Sequence, residues 1–105
     1  MIRVSVLYPN TPDGTFDMQY YQDHHVPLVI QRCDGAIKRG VIERGLMGLE
    51  PGTTAPYRVA AHLLFDSAES MQATFGRHIQ EFVADLPNFT NIAPKLQVSE
   101  IVMEA

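Results

Sequence analysis

Hydrophobic and polar positions alternate strictly over residues 2–8, IRVSVLY, with Ile2, Val4, Val6 and Tyr8 on one side and Arg3, Ser5 and Leu7 on the other. A period of two is the mark of a strand with two different faces. The next six residues, PNTPDG, carry two prolines and an Asp-Gly pair and read as a turn. Beyond Asp17, a natural N-cap, the period lengthens, and Met18, Tyr21, His25 and Leu28 fall on one face of a helix. Pro27 interrupts that helix by removing a backbone donor and freeing the Asp23 carbonyl. It predicts a bend or restart beside the two histidines, with the helix ending near Cys33.

Residues 36–49 read as a second strand, weakened by Gly40, Gly45 and Gly48, which point to a bulge or a close backbone approach. The run 57–65, YRVAAHLLF, is apolar on both faces and reads as a central strand. Asp66 and Glu69 have capping-box spacing, and Ala68, Met71, Phe75, Ile79, Phe82 and Leu86 form the apolar stripe of a second helix. The segment DLPNFTN stops that helix, and KLQVSEIVM closes the chain as a fourth strand. The order β-α-β-β-α-β predicts an α+β, ferredoxin-like fold: a four-stranded antiparallel sheet with both helices on one face. Leu7 and the two-sided strand 57–65 then leave apolar surface on the other face, and a second copy of the chain is the expected cover.

Composition narrows the classes. The 105 residues suit one domain, 1–105, without repeat or linker, and 46 % hydrophobic with 19 % charged residues is ordinary for a globular chain. A formal charge of −4 offers nothing to a phosphate backbone, so no nucleic-acid partner is expected. No apolar run reaches the length of a membrane span, and the start lacks the apolar core of a signal peptide; the expectation is a cytoplasmic protein without a membrane partner. Cys33 is the single cysteine, which excludes an internal disulfide.

Candidate chemistry is concentrated in one place. No phosphate loop is present, because the glycines at 35, 40, 45 and 48 have the wrong spacing, and no Gly-x-Ser-x-Gly elbow appears. The segment Tyr20-Tyr21-Gln22-Asp23-His24-His25 packs two phenols, a carboxylate and two imidazoles into two helical turns. A histidine moves protons near neutrality, and a phenol donates to a developing oxyanion. Two readings fit Tyr21 and His25: a proton-transfer pair, or half-buried helix residues whose polar ends find backbone partners. Adjacent helix positions diverge by about 100°, so only one histidine faces a pocket, and the apolar stripe favours His25. His62, inside the third strand, either projects into a cavity or faces the helices as a core histidine, the simpler reading. His78 is expected at the surface. No metal site is expected, since three of the four histidines would have to converge. Tyr8, His62 and Phe89 complete the set of candidate ligand contacts.

The opening strand IRVSVLYPN, then Phe16-Asp17, Tyr20-Tyr21, His25, Pro27 and Leu28, and finally Asp85-Leu86-Pro87-Asn88-Phe89-Thr90 together resemble the EthD family. This family lies within the dimeric α/β-barrel superfamily. The likeness runs through essentially the whole chain, and the tyrosine pair followed by His-x-Pro-Leu is its most specific part. It implies a homodimer whose two sheets pack face to face with the helices outside. It also implies cofactor-free chemistry on a small hydrophobic molecule, of isomerase, cyclase or monooxygenase type, with His25 as acid/base and Tyr21 beside it. The alternative is a non-catalytic accessory protein that holds such a molecule. The family takes its name from the breakdown of ethyl tert-butyl ether, in which its biochemical role is unclear. A shared fold does not by itself fix the reaction.

Overall fold

The computed structural model describes residues 1–105. Its elements are β1 (Ile2–Pro9), α1 (residues 18–33), β2 (Arg39–Arg44), β3 (Tyr57–Phe65), α2 (residues 68–85) and β4 (Lys95–Glu100). The strands form one antiparallel sheet in the order β2-β3-β1-β4, which is the ferredoxin-like arrangement. β1 and β3, whose patterns predict them best, are the two central strands.

Pairing register decides which side chains share a face. Val4 lies opposite Leu63 and Val98, and Val6 opposite Ala61 and Leu96. With Tyr8, Val59 and Phe65 these make the helix-facing layer, and the core continues through Tyr21, Val29 and Cys33 of α1 and Met71, Phe75 and Phe82 of α2. The other face differs from the apolar surface expected of it. Arg3, Ser5, Gln97, Ser99, Lys95, His62, Arg39 and Glu43 stand there with Leu7, Ala60, Leu64 and Val41. The open face is mixed, because the edges β2 and β4 alternate polar residues onto it and Arg3, Ser5 and His62 of the central strands add to them.

Both helices contain a widened turn. In α1 an α-helical turn at Met18–Tyr20 opens into a π turn at Tyr21–His25, where the Val26 N–H reaches back five residues to the Tyr21 carbonyl. α-helical geometry resumes over Val26–Cys33. The widening falls directly before Pro27, which has no N–H to give to the ladder, and so restarts the helix beside the histidines. It also changes the period. The buried positions of α1 are Tyr21, His25, Val29 and Cys33, four apart throughout, so Val29 and Cys33 take the core positions while Leu28 is only partly buried. α2 repeats the device at Gln72–Gly76, where the Arg77 N–H bonds the Gln72 carbonyl.

Three boundaries move. The N-cap of α2 is Ser67, whose hydroxyl accepts from the Ser70 N–H at 3.1 Å, while Asp66 lies one residue outside and approaches Lys38 instead. β2 stops at Arg44. Gly45 still donates to the Arg58 carbonyl at 2.9 Å, and a Cβ there would collide with the Tyr57 carbonyl oxygen, so the close approach is real. Beyond it Leu46, Met47 and Leu49 leave the sheet and stand in solvent. β4 ends at Glu100 rather than near Met103, and Val102 and Met103 are exposed. No helix is long and apolar enough to cross a membrane.

Candidate functional site

Asp17 caps α1 by accepting from the Tyr20 N–H, and its own N–H donates to the Phe89 carbonyl at 2.8 Å. Phe16 and Thr90 form an isolated bridge, and the Thr90 hydroxyl bonds the Thr15 carbonyl. These contacts tie the start of α1 to the segment after α2. They carry the end of α2 across to the widened turn of α1, and two side chains meet there: His25 Nδ1 and Asp85 Oδ2, at 2.9 Å.

Asp85 is the hub of a small network. Its other oxygen accepts from the Tyr20 hydroxyl at 2.7 Å and from Asn88 Nδ2 at 2.8 Å. Burial pushes the carboxyl up, but the bonds from Asn88, His25 and Tyr20 outweigh it, and the net pKa lies below its ordinary value. The hydrogen bond to Asp85 raises the Tyr20 phenol in turn. An ionised carboxylate only accepts, so the ring hydrogen sits on Nδ1 and the lone pair of neutral His25 is on Nε2. Hydrogen bonds thus fix both the tautomer and the ring plane.

His25 is 6 % exposed, and its ring is packed among aromatics. Tyr21 stacks on it with centroids 5.5 Å apart, and Phe89 lies at 4.6 Å. His25, Tyr21 and Tyr8 line one wall of a pocket of about 340 Å³ between the helices and the sheet. The other walls are almost wholly apolar, built from Val6, Ile42, Ala61 and Leu63 of the sheet, Val26 and Val29 of α1, and Phe75, Ile79 and Phe82 of α2. Burial lifts the Tyr21 phenol to about 12, with the Tyr8 hydroxyl pulling it slightly back. Burial, and then Tyr21, lift the Tyr8 phenol further still. Both remain protonated donors at any physiological pH. An apolar cavity of about 150 Å³ is enough for benzene, so this pocket has room for a molecule roughly twice that size.

Of the residues singled out by the sequence, Tyr8, Tyr21 and His25 meet at this wall. Phe89 braces the imidazole without lining the pocket, and His24 is exposed. His62 is elsewhere. It stands half-buried on the open face of the sheet, neither in the core nor near His25, and bonds Ser5 Oγ at 3.0 Å and Glu43 Oε1 at 3.1 Å. Asp23, the carboxylate nearest His25 in sequence, is exposed and takes a bond from Gln19. The acidic partner is Asp85. Residues 85–90 already stand out as a block, but nothing local to Asp85 marks it as the partner of His25.

Comparison with known proteins shows the family. A profile of the EthD domain matches residues 13–93, a span that includes the whole His25–Asp85 network. The chain belongs to the EthD family. An EthD-like protein from Ralstonia eutropha JMP134 shares 38 % identity and superposes with a TM-score of 0.89, over 99 % of this chain and 94 % of its own. An EthD family protein from Bacillus halodurans C-125 has 17 % identity and a TM-score of 0.67, over 97 % and 99 % of the two chains. HapK from Hahella chejuensis has 12 % identity and a TM-score of 0.61, over 100 % and 96 %. The likeness to these last two is one of fold. None of the curated proteins matches the chain.

Proposed function

We propose that this EthD-family chain is a cofactor-independent enzyme that moves a proton on a small hydrophobic substrate, in an isomerisation or cyclisation. The observation that carries the reading is His25, on the wall of an apolar pocket, held from behind by Asp85. Nε2 of His25 takes a proton from a carbon next to a carbonyl, and Asp85 steadies the imidazolium that results. The Tyr21 phenol donates to the oxygen on which the enolate charge collects. In an isomerisation the imidazolium returns its proton at a different carbon. In a cyclisation the enolate carbon bonds to a second carbonyl carbon of the same molecule, and the imidazolium protonates the oxygen of that carbonyl. Either reaction is redox-neutral and needs no second reactant. The catabolism of hydrophobic compounds such as ethyl tert-butyl ether, from which the family is named, is a setting in which such a pocket would serve.

Deuterium exchange tests this directly. In D₂O the protein should speed deuterium incorporation beside the carbonyl of 1-tetralone, a bicyclic ketone of suitable size, as followed by NMR. His24→Ala should behave as wild type, and His25→Ala should fall to the uncatalysed rate. Equal exchange by His25→Ala and wild type would refute the role of His25.

A second reading rests on the 6 % exposure of His25, which suits a packed wall as well as a reacting group. In that reading the chain is a non-catalytic carrier, and wild type would bind the ketone without speeding its exchange.

We also propose that two copies pair through their open sheet faces. Ser5, His62 and Glu43 satisfy one another there, which lowers the cost of removing them from water, and Leu7, Ala60 and Leu64 supply apolar area. Sedimentation at micromolar concentration should give a dimer; a well-folded monomer would count decisively against the pairing.

A further inference from the structure

The pocket is polar at two separated places. One is the Tyr8–Tyr21–His25 wall. The other is the entrance beside β2, where Lys38 and Arg39 are among the lining residues. Alternation turns the Arg39 side chain to the open face, together with its neighbour Leu64. The Lys38 ammonium stays on the helix side, reaching toward the Gly35 carbonyl at 3.4 Å and Asp66 at 3.6 Å. Asp66 is an exposed partner held without a hydrogen bond, and such pairs contribute little. No aspartate or glutamate lines the pocket.

Register gives the separation. The Lys38 N–H bonds the Leu64 carbonyl, and Leu64 pairs with Arg3. Tyr8 lies five residues further along β1, about 16 Å at the ordinary strand rise. Tyr8 is buried at the inner wall, whereas the Lys38 side chain, half exposed, stands at the mouth, with apolar wall between them.

We propose that the pocket takes an elongated apolar molecule bearing a carboxylate at the end remote from His25, and that Lys38 binds that carboxylate. The inference rests on the pocket being the ligand site, as the proton-transfer reading also requires. The lining supplies a cation and no anion, so it favours an acid over a neutral analogue and disfavours an amine. The apolar middle takes the body of the ligand and leaves the reacting end beside Tyr21 and His25.

Three matched probes separate these ideas: 4-pentylbenzoate, 4-pentylbenzyl alcohol and 4-pentylbenzylamine, titrated calorimetrically at low salt. The acid should bind about five- to tenfold more tightly than the alcohol, and the amine most weakly. Lys38→Met should bring the acid down to the alcohol's affinity, and Lys38→Arg should keep most of the preference. Arg3→Met, on the open face, serves as the control and should retain it. Equal binding of acid and alcohol by wild type, or a preference that survives Lys38→Met, overturns the role of Lys38 while leaving the pocket as a ligand site. Failure of all three probes to bind overturns the pocket as ligand site, and with it both proposals.

Discussion

Asp85 Oδ2 lies 2.9 Å from Nδ1 of His25, a residue sixty positions earlier on the other helix. A carboxylate held against one ring nitrogen leaves the other free for proton transfer and sets its direction. In this relationship α1 supplies the imidazole, α2 supplies the carboxylate that orients it, and the loop contacts of Asp17 and Thr90 bring the two together.

Asp85→Asn should therefore retain the shape of the site and lose its rate. The amide can still bond the imidazole, but it no longer stabilises a positive ring, and the exchange rate with 1-tetralone should fall by about tenfold or more. A rate equal to wild type would leave Asp85 a purely structural role.

Acid should act through the same carboxylate. Its pKa is lower in the folded chain than in the unfolded one, so the unfolded chain binds the proton more readily. The stability it contributes is fully present above the unfolded value, about 3.9, and disappears as pH falls through the folded value. Wild-type melting temperature should drop between about pH 5 and pH 2, and Asp85→Asn should show a shallower drop over that range. Glu81, lowered by its bond from Arg32, contributes the same trend in both proteins, so the difference between the two curves isolates Asp85.

Tyr21→Phe keeps the ring that stacks on His25 and removes only the hydroxyl. Stability should change by no more than about 1 kcal/mol, the net worth of a typical hydrogen bond. The exchange rate should fall by about a hundredfold if the phenol stabilises the enolate oxygen. Urea unfolding and the exchange assay, run on one preparation, separate the two effects.

Phe82 is buried, packs against Phe75 at 5.4 Å and also lines the pocket. Phe82→Ala should cost about 3 kcal/mol in urea unfolding, the low end for such a truncation, because one side of the ring already borders open space. A loss below about 1 kcal/mol would mean the ring is not part of the core.

Gly45→Ala should destabilise the β2–β3 hairpin by about 1–3 kcal/mol, since the new methyl would meet the Tyr57 carbonyl oxygen. Gly35→Ala tests a different cause at a site with open space, because φ there is 83°, a region other residues avoid. Melting curves of both variants check this.

What could be read in advance follows from where each residue gets its reason. β1 is legible because its buried face alternates with a mostly polar one, and β3 because its run is apolar on both faces, as a central strand's can be. The second strand reads too long because Leu46, Met47 and Leu49 look like sheet residues and are exposed; nothing local distinguishes an apolar side chain in solvent from one in a core. The cap shifts from Asp66 to Ser67 because either side chain can serve and nothing in the local sequence separates them. Val29 and Cys33 follow His25 at the i, i+4 spacing of the helix that restarts at Val26, a face whose phase is set by the widened turn before it. His25 stands out through its neighbours in the chain, whereas Asp85, Ser5 and Glu43 acquire their partners only in three dimensions.

The strand order β2-β3-β1-β4 has a consequence for how the molecule comes into being. β1 leaves the ribosome before either of its neighbours, β3 and β4. The hydrogen-bonding edge of β1 that β4 will cover stays open until residues 95–100 have been made. His25 likewise waits for Asp85, sixty residues behind it, so the pair forms late in synthesis and not as each helix emerges.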